Sequence, residues 1–145
     1  MASIQDFLGA DHSRCDTLFA EAEGAISGGD WPRGAELARD FLDGMRHHFA
    51  MEEEVLFPDF EETTGMTSGP TAVMRMEHEQ MRRLFEEMDE EIASRNSAGF
   101  LGAGDTLLLM MQQHNAKEEQ ILYPMADRAL GTKLTEEIAR MQRVA

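Results

Sequence analysis

Hydrophobic residues recur every three or four positions along most of the chain, which is the spacing of an amphipathic helix and not the alternation of a strand. This spacing predicts four long helices, separated by three breaks rich in glycine and polar residues. The helices are predicted over residues 4–26, about 32–62, about 71–95, and from about 105 (or a few residues earlier) to 130. No β-branched alternation lasts more than a few residues, so no strand is predicted.

The breaks between these stretches carry residues that end and begin helices. Gly28 and Gly29 follow the first stretch, and Asp30 is a natural N-cap for the second. A shorter amphipathic stretch over 132–144 follows the fourth. The sequence therefore predicts an all-α fold, an up-down-up-down antiparallel four-helix bundle with a short C-terminal fifth helix. We expect residues 1–145 to form a single domain, with the bundle over 4–130 and the tail helix over 132–144.

Six polar residues interrupt the hydrophobic faces of these helices, and they do so in a repeat of 66 positions. His12 and His78 are one repeated pair, and His48-x-x-x-Glu52 and His114-x-x-x-Glu118 are the other. The neighbouring residues repeat as well, since Leu56-Phe57-Pro58 corresponds to Leu122-Tyr123-Pro124. Pro58 and Pro124 each remove a helix hydrogen bond, so kinks are predicted at these positions. Two equivalent half-units would bring four imidazoles and two carboxylates together around a pseudo-two-fold axis.

Burying two carboxylates requires a compensating positive charge, because an unpaired buried carboxylate costs several kcal/mol. Residues four positions apart share one face of a helix, so each His-x-x-x-Glu pair can point at a common spot. Imidazole suits iron, zinc and copper, and a carboxylate can bridge two cations. The sequence predicts a dinuclear metal site with His12, His48, Glu52, His78, His114 and Glu118 as ligands.

The composition narrows the classes of partner and the compartment. A formal net charge of −15 argues against nucleic acid and anionic membrane as partners. The longest strongly apolar run, residues 107–111, is too short to span a bilayer. We expect no secretory signal at the start of the chain, and the single cysteine suits a reducing compartment, so a cytoplasmic location is expected.

The motifs over residues 4–128 resemble the hemerythrin-like (HHE cation-binding) family. The resemblance rests on the lone His12 and His78 and on the two His-x-x-x-Glu-Glu-x-x-Leu-Phe/Tyr-Pro signatures. It implies a non-haem centre of two iron ions, with Glu52 and Glu118 as bridges and an oxo or hydroxo group between the ions. By the same resemblance, His12 and His48 would serve one iron and His78 and His114 the other. Other divalent metals remain an alternative.

The chain departs from the oxygen-carrying hemerythrins at one position. Those proteins have a fifth histidine one turn before the third-helix histidine, where this chain has Met74. The remaining histidine, His47, should point about 100° away from His48. A symmetric centre would leave both irons five-coordinate, which favours ligand activation and redox turnover.

Three classes of function stay open at this point. The first is a di-iron protein that binds or senses oxygen or nitric oxide. The second is a di-iron redox enzyme that acts on peroxide or nitric oxide. The third is iron storage or donation for the repair of iron centres, or a zinc-loaded structural protein. The sequence does not decide the metal, the small ligand or the occurrence of turnover, and it leaves a homodimer open.

Other residues near the motifs have simpler interpretations. Cys15 is expected to be a small core residue, with a position facing the metals as the alternative. Tyr123, which corresponds to Phe57, is expected to be a packing residue, with control of redox chemistry by a phenol near iron as the alternative. Glu53 and Glu119 are expected to face either solvent or a neighbouring helix.

Overall fold

The computed structural model describes residues 2–145, which are helical and contain no strand. Seven α-helices lie within these described residues. The helices are α1 Ile4–Ser27, α2 Trp31–Met51, α3 Phe57–Thr64, α4 Pro70–Ala93, α5 Ser97–Lys117, α6 Tyr123–Leu130 and α7 Leu134–Gln142. The π-helical turns are Glu52–Leu56, between α2 and α3, and Glu118–Leu122, between α5 and α6; a 3-10 turn, Gly131–Lys133, precedes α7. Each π-helical turn joins its two α-helices into one longer rod, so the bundle has four rods: α1, α2–α3, α4 and α5–α6.

Contacts between the rods show that neighbouring rods run antiparallel. The backbone N–H of Ile4 donates to Asp127 at 2.7 Å, while His12, two turns later on α1, contacts Glu118 and Glu119. The α2–α3 rod runs against α4 in the same way, and α4 packs against α5. The prediction of an all-α antiparallel four-helix bundle with a short C-terminal helix is confirmed.

Side-chain caps begin three of the four rods, but the fourth rod begins earlier than predicted. The Asn96 side chain accepts from the backbone N–H of Gly99 at 3.0 Å, so α5 begins at Ser97, about two turns before Asp105. The glycines after Ser97, which suggested a loop, lie within the helix. One reason is close packing: a Cβ at Gly104 would meet the ring of Phe19 at 3.3 Å.

Two hydrophobic clusters fill the two halves of the bundle. One surrounds Phe19, Phe41 and Phe85, and the other surrounds Leu8 and Phe60. The tail helix α7 covers the second cluster with Ile138 and Met141, and it begins at Leu134 because the 3-10 turn occupies residues 131–133. None of the helices within residues 2–145 has the length and apolar character that crossing a membrane requires.

Candidate metal centre

The six residues predicted as ligands meet in the bundle interior between the two clusters. Each histidine comes from a different rod, and the two glutamates are the first residues of the two π-helical turns. All six are buried, with at most 5 % of their surface exposed: His12, His48, Glu52, His78, His114 and Glu118.

Each carboxylate lies against one imidazole from each half of the repeat. Glu52 Oε1 is 3.5 Å from His48 Nε2 and 3.2 Å from His78 Nε2. Glu118 Oε1 is 3.3 Å from His114 Nε2 and 3.0 Å from His12 Nε2. These four contacts correspond pairwise under the repeat, which is the arrangement expected of two bridging carboxylates.

The imidazoles form the two pairs that the resemblance implies. The ring centroids of His12 and His48 are 4.6 Å apart, and those of His78 and His114 are 5.0 Å apart. Two sets of side chains each offer ligand atoms within 4.8 Å of one another: one contains His12, His48 and Glu118, and the other contains Glu52, His78, His114 and Glu118. Glu118 belongs to both sets, and each set could hold a metal ion.

A further carboxylate holds the outer nitrogen of every one of these imidazoles. The four contacts to Nδ1 are His12–Glu119 at 2.9 Å, His48–Asp11 at 2.8 Å, His78–Glu53 at 2.6 Å and His114–Glu77 at 2.8 Å. Because an ionised carboxylate only accepts hydrogen bonds, each Nδ1 carries the proton and donates it. The Nε2 atoms therefore face the interior, in the orientation that outer carboxylates impose on metal-ligating histidines.

Sequence reasoning missed these four outer carboxylates as functional residues. Glu53 was expected to face either solvent or a neighbouring helix, and the second expectation is correct. Its carboxylate contacts His78 and accepts two hydrogen bonds from Arg82, at 2.8 and 2.9 Å. The signal was present in the sequence, because Asp11 and Glu77 are separated by 66 positions, as are Glu53 and Glu119. Because acidic residues are frequent in this chain, the repeat of these four positions did not stand out.

The carboxylates change the proton affinity of the site strongly. Burial alone would lower the pKa of His48, but the charge of Glu52 and the hydrogen bond to Asp11 outweigh it and raise that pKa to about 10. At His114, burial is likewise outweighed by Glu118 and Glu77, and its pKa is raised to about 9. Burial would raise the pKa of Glu52, but the neighbouring His48 holds it well below its usual range. The site thus attracts positive charge.

Four atoms of the centre lack hydrogen-bond partners, and this shows whether the residues fit metal ions. Within residues 2–145, Glu52 Oε1, His78 Nε2, His114 Nε2 and Glu118 Oε2 are buried and have no hydrogen-bond partner. The His78–Glu52 and His114–Glu118 contacts are close enough for ion pairs but do not have hydrogen-bond geometry. Buried polar atoms without partners are rare and costly. Metal ions between them would supply the missing interactions, so the residues fit.

The π-helical turns lie just before the two repeated prolines. Pro58 and Pro124 have no N–H, so the regular helical hydrogen bond at each position cannot form. In each rod the residue before the proline, Phe57 or Tyr123, donates to the carbonyl five residues earlier, at Glu52 or Glu118. The predicted kinks are thus π-helical turns, which are frequent at functional sites.

Tyr123 combines a packing position with a hydroxyl inside the centre. It is fully buried, as expected for packing, but its hydroxyl points into the centre and donates to Glu52 Oε2 at 2.7 Å. Phe57, at the equivalent position, stacks on His78 with ring centroids 5.6 Å apart. Burial and the charges of Glu118 and Glu52 raise the pKa of Tyr123 well above its usual range when cations are absent.

The remaining residues discussed from the sequence lie away from the inward-facing ligand atoms. His47 Nε2 donates to the backbone carbonyl of Val144 at 3.0 Å, so this histidine points away from the centre, as expected. Met74 is buried in the hydrophobic cluster that also contains Phe57. Cys15 is buried in the other cluster, and burial raises the pKa of its thiol to about 12, so it is an unreactive core residue.

Comparisons with known proteins give a family but no individual relative. The sequence model of the Hemerythrin HHE cation binding domain matches residues 3–126, which include both His-x-x-x-Glu motifs and both lone histidines. Neither the curated proteins nor the solved structures gave a match. The family binds metal cations, in agreement with the buried histidines and glutamates described above. The chain belongs to the hemerythrin HHE cation-binding domain family.

Proposed function

We propose that this chain is a non-haem di-iron protein that binds or senses a small ligand, either oxygen or nitric oxide. The observation that carries the proposal is the pseudo-two-fold set of buried donor atoms, four imidazole nitrogens and two carboxylates. Four of the atoms in this set, on Glu52, His78, His114 and Glu118, have no hydrogen-bond partner. Imidazole combined with carboxylate and no thiolate suits iron among the transition metals. In this proposal His12 and His48 hold one ion, His78 and His114 hold the other, and Glu52 and Glu118 bridge them.

The side chains prepare the site for such ions and limit what can reach it. The outer carboxylates keep each imidazole ring in one orientation, so little ordering is needed when a metal binds. The nearly complete burial of the six side chains excludes bulk water and large substrates, which favours ligands of two or three atoms. When bound, the two iron ions would supply vacant coordination positions and a reversible change between ferrous and ferric states.

A di-iron redox enzyme that acts on peroxide or nitric oxide is the second candidate. The observation in its favour is the Tyr123 hydroxyl, because it places inside the site a phenol, a side chain that can take part in redox chemistry. A protein that only binds and releases its ligand does not need such a group. The two candidates share the same metal centre and differ in whether the ligand leaves unchanged.

The two candidates can be separated with ferrous protein prepared without oxygen. Absorption spectra are recorded before exposure to oxygen or nitric oxide, during exposure, and after the gas is removed. A binder returns to its first spectrum, whereas an enzyme consumes nitric oxide or added peroxide over many turnovers. Glu118→Ala serves as the control without a complete centre. Failure of the native protein to take up iron would contradict both candidates.

A further inference from the structure

The repeat is broken at several positions around the centre, and at one of them Tyr123 corresponds to Phe57. Both side chains are fully buried, and both begin the helix that follows a π-helical turn. Phe57 lies over His78, while Tyr123 lies over His12 with ring centroids 5.6 Å apart. Tyr123 therefore adds a hydroxyl oxygen to the half of the centre that contains His12 and His48, and Phe57 adds none to the other half.

The Tyr123 hydroxyl contacts more atoms than a structural hydrogen bond needs. Its oxygen is 2.7 Å from Glu52 Oε2, 3.0 Å from Glu118 Oε1, 3.2 Å from His12 Nε2 and 3.4 Å from His48 Nε2. A phenol has one proton to donate, so it cannot satisfy both carboxylates at once. All four neighbours are side chains that the proposed function assigns to metal.

These separations match the spacing of ligands around a single ion. Adjacent ligands of an octahedral ion with bonds of about 2.1 Å lie about 3 Å apart. The hydroxyl oxygen stands at this spacing, 2.7 to 3.4 Å, from a ligand atom of each of the four neighbouring side chains. A packing tyrosine has no reason to present its oxygen in this way.

We propose that the oxygen of Tyr123 is a seventh protein ligand, bound to the ion that His12 and His48 hold. On binding, the phenol O–H bond breaks, the oxygen gives its electron pair to the metal, and the proton passes to the buffer. This inference rests on the proposed function, since it requires an ion between His12 and His48. It goes beyond that function because it makes the two metal positions unequal.

The inequality decides where an external ligand binds. Phe57 offers no ligand atom, so the ion held by His78 and His114 has one protein ligand fewer than its neighbour. That ion retains the vacant position, and small ligands bind there. The symmetric centre expected from the sequence, with both irons five-coordinate, is replaced by a centre with one filled and one open position.

The test uses the fact that Tyr123 is the only tyrosine of the chain. Protein loaded with two irons and oxidised to the ferric state is studied by visible absorption and by resonance Raman spectroscopy. A ferric ion bound to a tyrosine oxygen gives a visible charge-transfer band and enhanced tyrosine ring vibrations, and we expect both. Ring-deuterated tyrosine should shift these vibrations, and Tyr123→Phe should abolish them while iron remains bound.

The repeat supplies a matched variant. In the exchange variant Tyr123→Phe/Phe57→Tyr, the tyrosine moves to the second half of the centre, so the band should return. Azide should then bind at the ion held by His12 and His48. Native protein that holds two ferric ions without tyrosine vibrations would overturn the inference and leave the di-iron proposal intact. Native protein that takes up no iron would overturn both.

Discussion

At the residue scale, each histidine of the centre has a carboxylate next to both of its ring nitrogens. The inner nitrogen faces a buried carboxylate of the centre, and the outer nitrogen donates to a second carboxylate. Basic residues in turn hold three of the outer carboxylates: Arg14 contacts Asp11, Arg82 contacts Glu53, and Lys117 contacts Glu77. A residue that never touches a metal ion is therefore expected to affect metal binding.

Glu53→Ala should weaken metal binding by roughly 10- to 100-fold, the usual effect of losing a partner of a metal-bound histidine. The reason is that Glu53 orients His78 through a 2.6 Å hydrogen bond. Isothermal titration with a divalent metal measures the change in affinity. Glu54→Ala, at the exposed neighbouring position, is the control and should bind like the native protein. Equal affinities for the two variants would contradict the role given to Glu53.

Glu52→Ala and Glu118→Ala should lower the metal content to a similar extent. Each of these glutamates contacts one imidazole of each half, so each loss affects both metal positions. Elemental analysis of the purified variants measures the result. If one variant kept both ions while the other lost them, the two carboxylates would not be equivalent bridges.

The six inner residues could be predicted from the sequence because histidine is rare and its repeat is unambiguous. Asp11 and Glu77 repeat just as regularly, but acidic residues lie on every solvated face of this chain, so their repeat carried little information. Tyr123 was read as packing because an aromatic residue at a core position usually is. Only the three-dimensional structure shows that its hydroxyl meets atoms from three different rods.

At the element scale, the rods are regular α-helices except at the two π-helical turns, which begin with the glutamates of the centre. The lengths of the first three rods were predictable from apolar spacing and caps. The tail helix α7 is shorter than the predicted 132–144, because a 3-10 turn occupies residues 131–133. The early start of α5 was not predictable, because glycine in a sequence usually indicates a loop, whereas Gly104 allows α5 to approach Phe19 closely. The π-helical turns were predicted only as kinks, since the loss of one N–H does not specify which hydrogen bond replaces it.

The tail helix α7 carries a buried carboxyl group that makes its packing depend on pH. Glu137 is 4 % exposed, and burial together with the nearby Asp59 raises its pKa to about 8. The folded protein keeps this carboxyl protonated up to about pH 8, whereas the unfolded chain ionises it near pH 4.5. Its contribution to the free energy of unfolding therefore decreases as the pH rises between these values.

Glu137→Gln should remove this loss, because glutamine stays neutral. As the pH rises from 5 to 8, the unfolding temperature of the variant should increase relative to that of the native protein. Glu136→Gln, at the adjacent exposed position, is the control and should show no such trend. A Glu137→Gln variant whose difference from native is constant with pH would contradict the raised pKa.

At the scale of the whole molecule, the centre lies between two hydrophobic clusters and joins all four rods, so its charge balance affects the stability of the entire bundle. Without metal, protons on His48 and His114 compensate the buried glutamates. The raised pKa values of His48 and His114, about 10 and about 9, stabilise the folded state fully below the ordinary histidine value of 6.5. This stabilisation is lost as the pH rises through 9 and 10.

Metal-free protein should therefore unfold at lower temperatures as the pH rises from 7 to 10, and metal-loaded protein should change less. The ions replace the protons as counter-charges, and ligands that bind only the folded state raise its stability. Thermal unfolding with and without a chelator across this pH range measures both effects. Parallel curves for the two forms would show that metal and protons do not compete for the same site.

The central claim is that six residues of one bundle hold two metal ions, and anomalous diffraction tests it most directly. Crystals of iron-loaded protein measured at the iron absorption edge should show two peaks in each chain, about 3.5–4 Å apart. One peak should lie between His12 and His48 and the other between His78 and His114, with Glu52 and Glu118 between the peaks. A single peak, no peak, or peaks outside this set of residues would contradict the account.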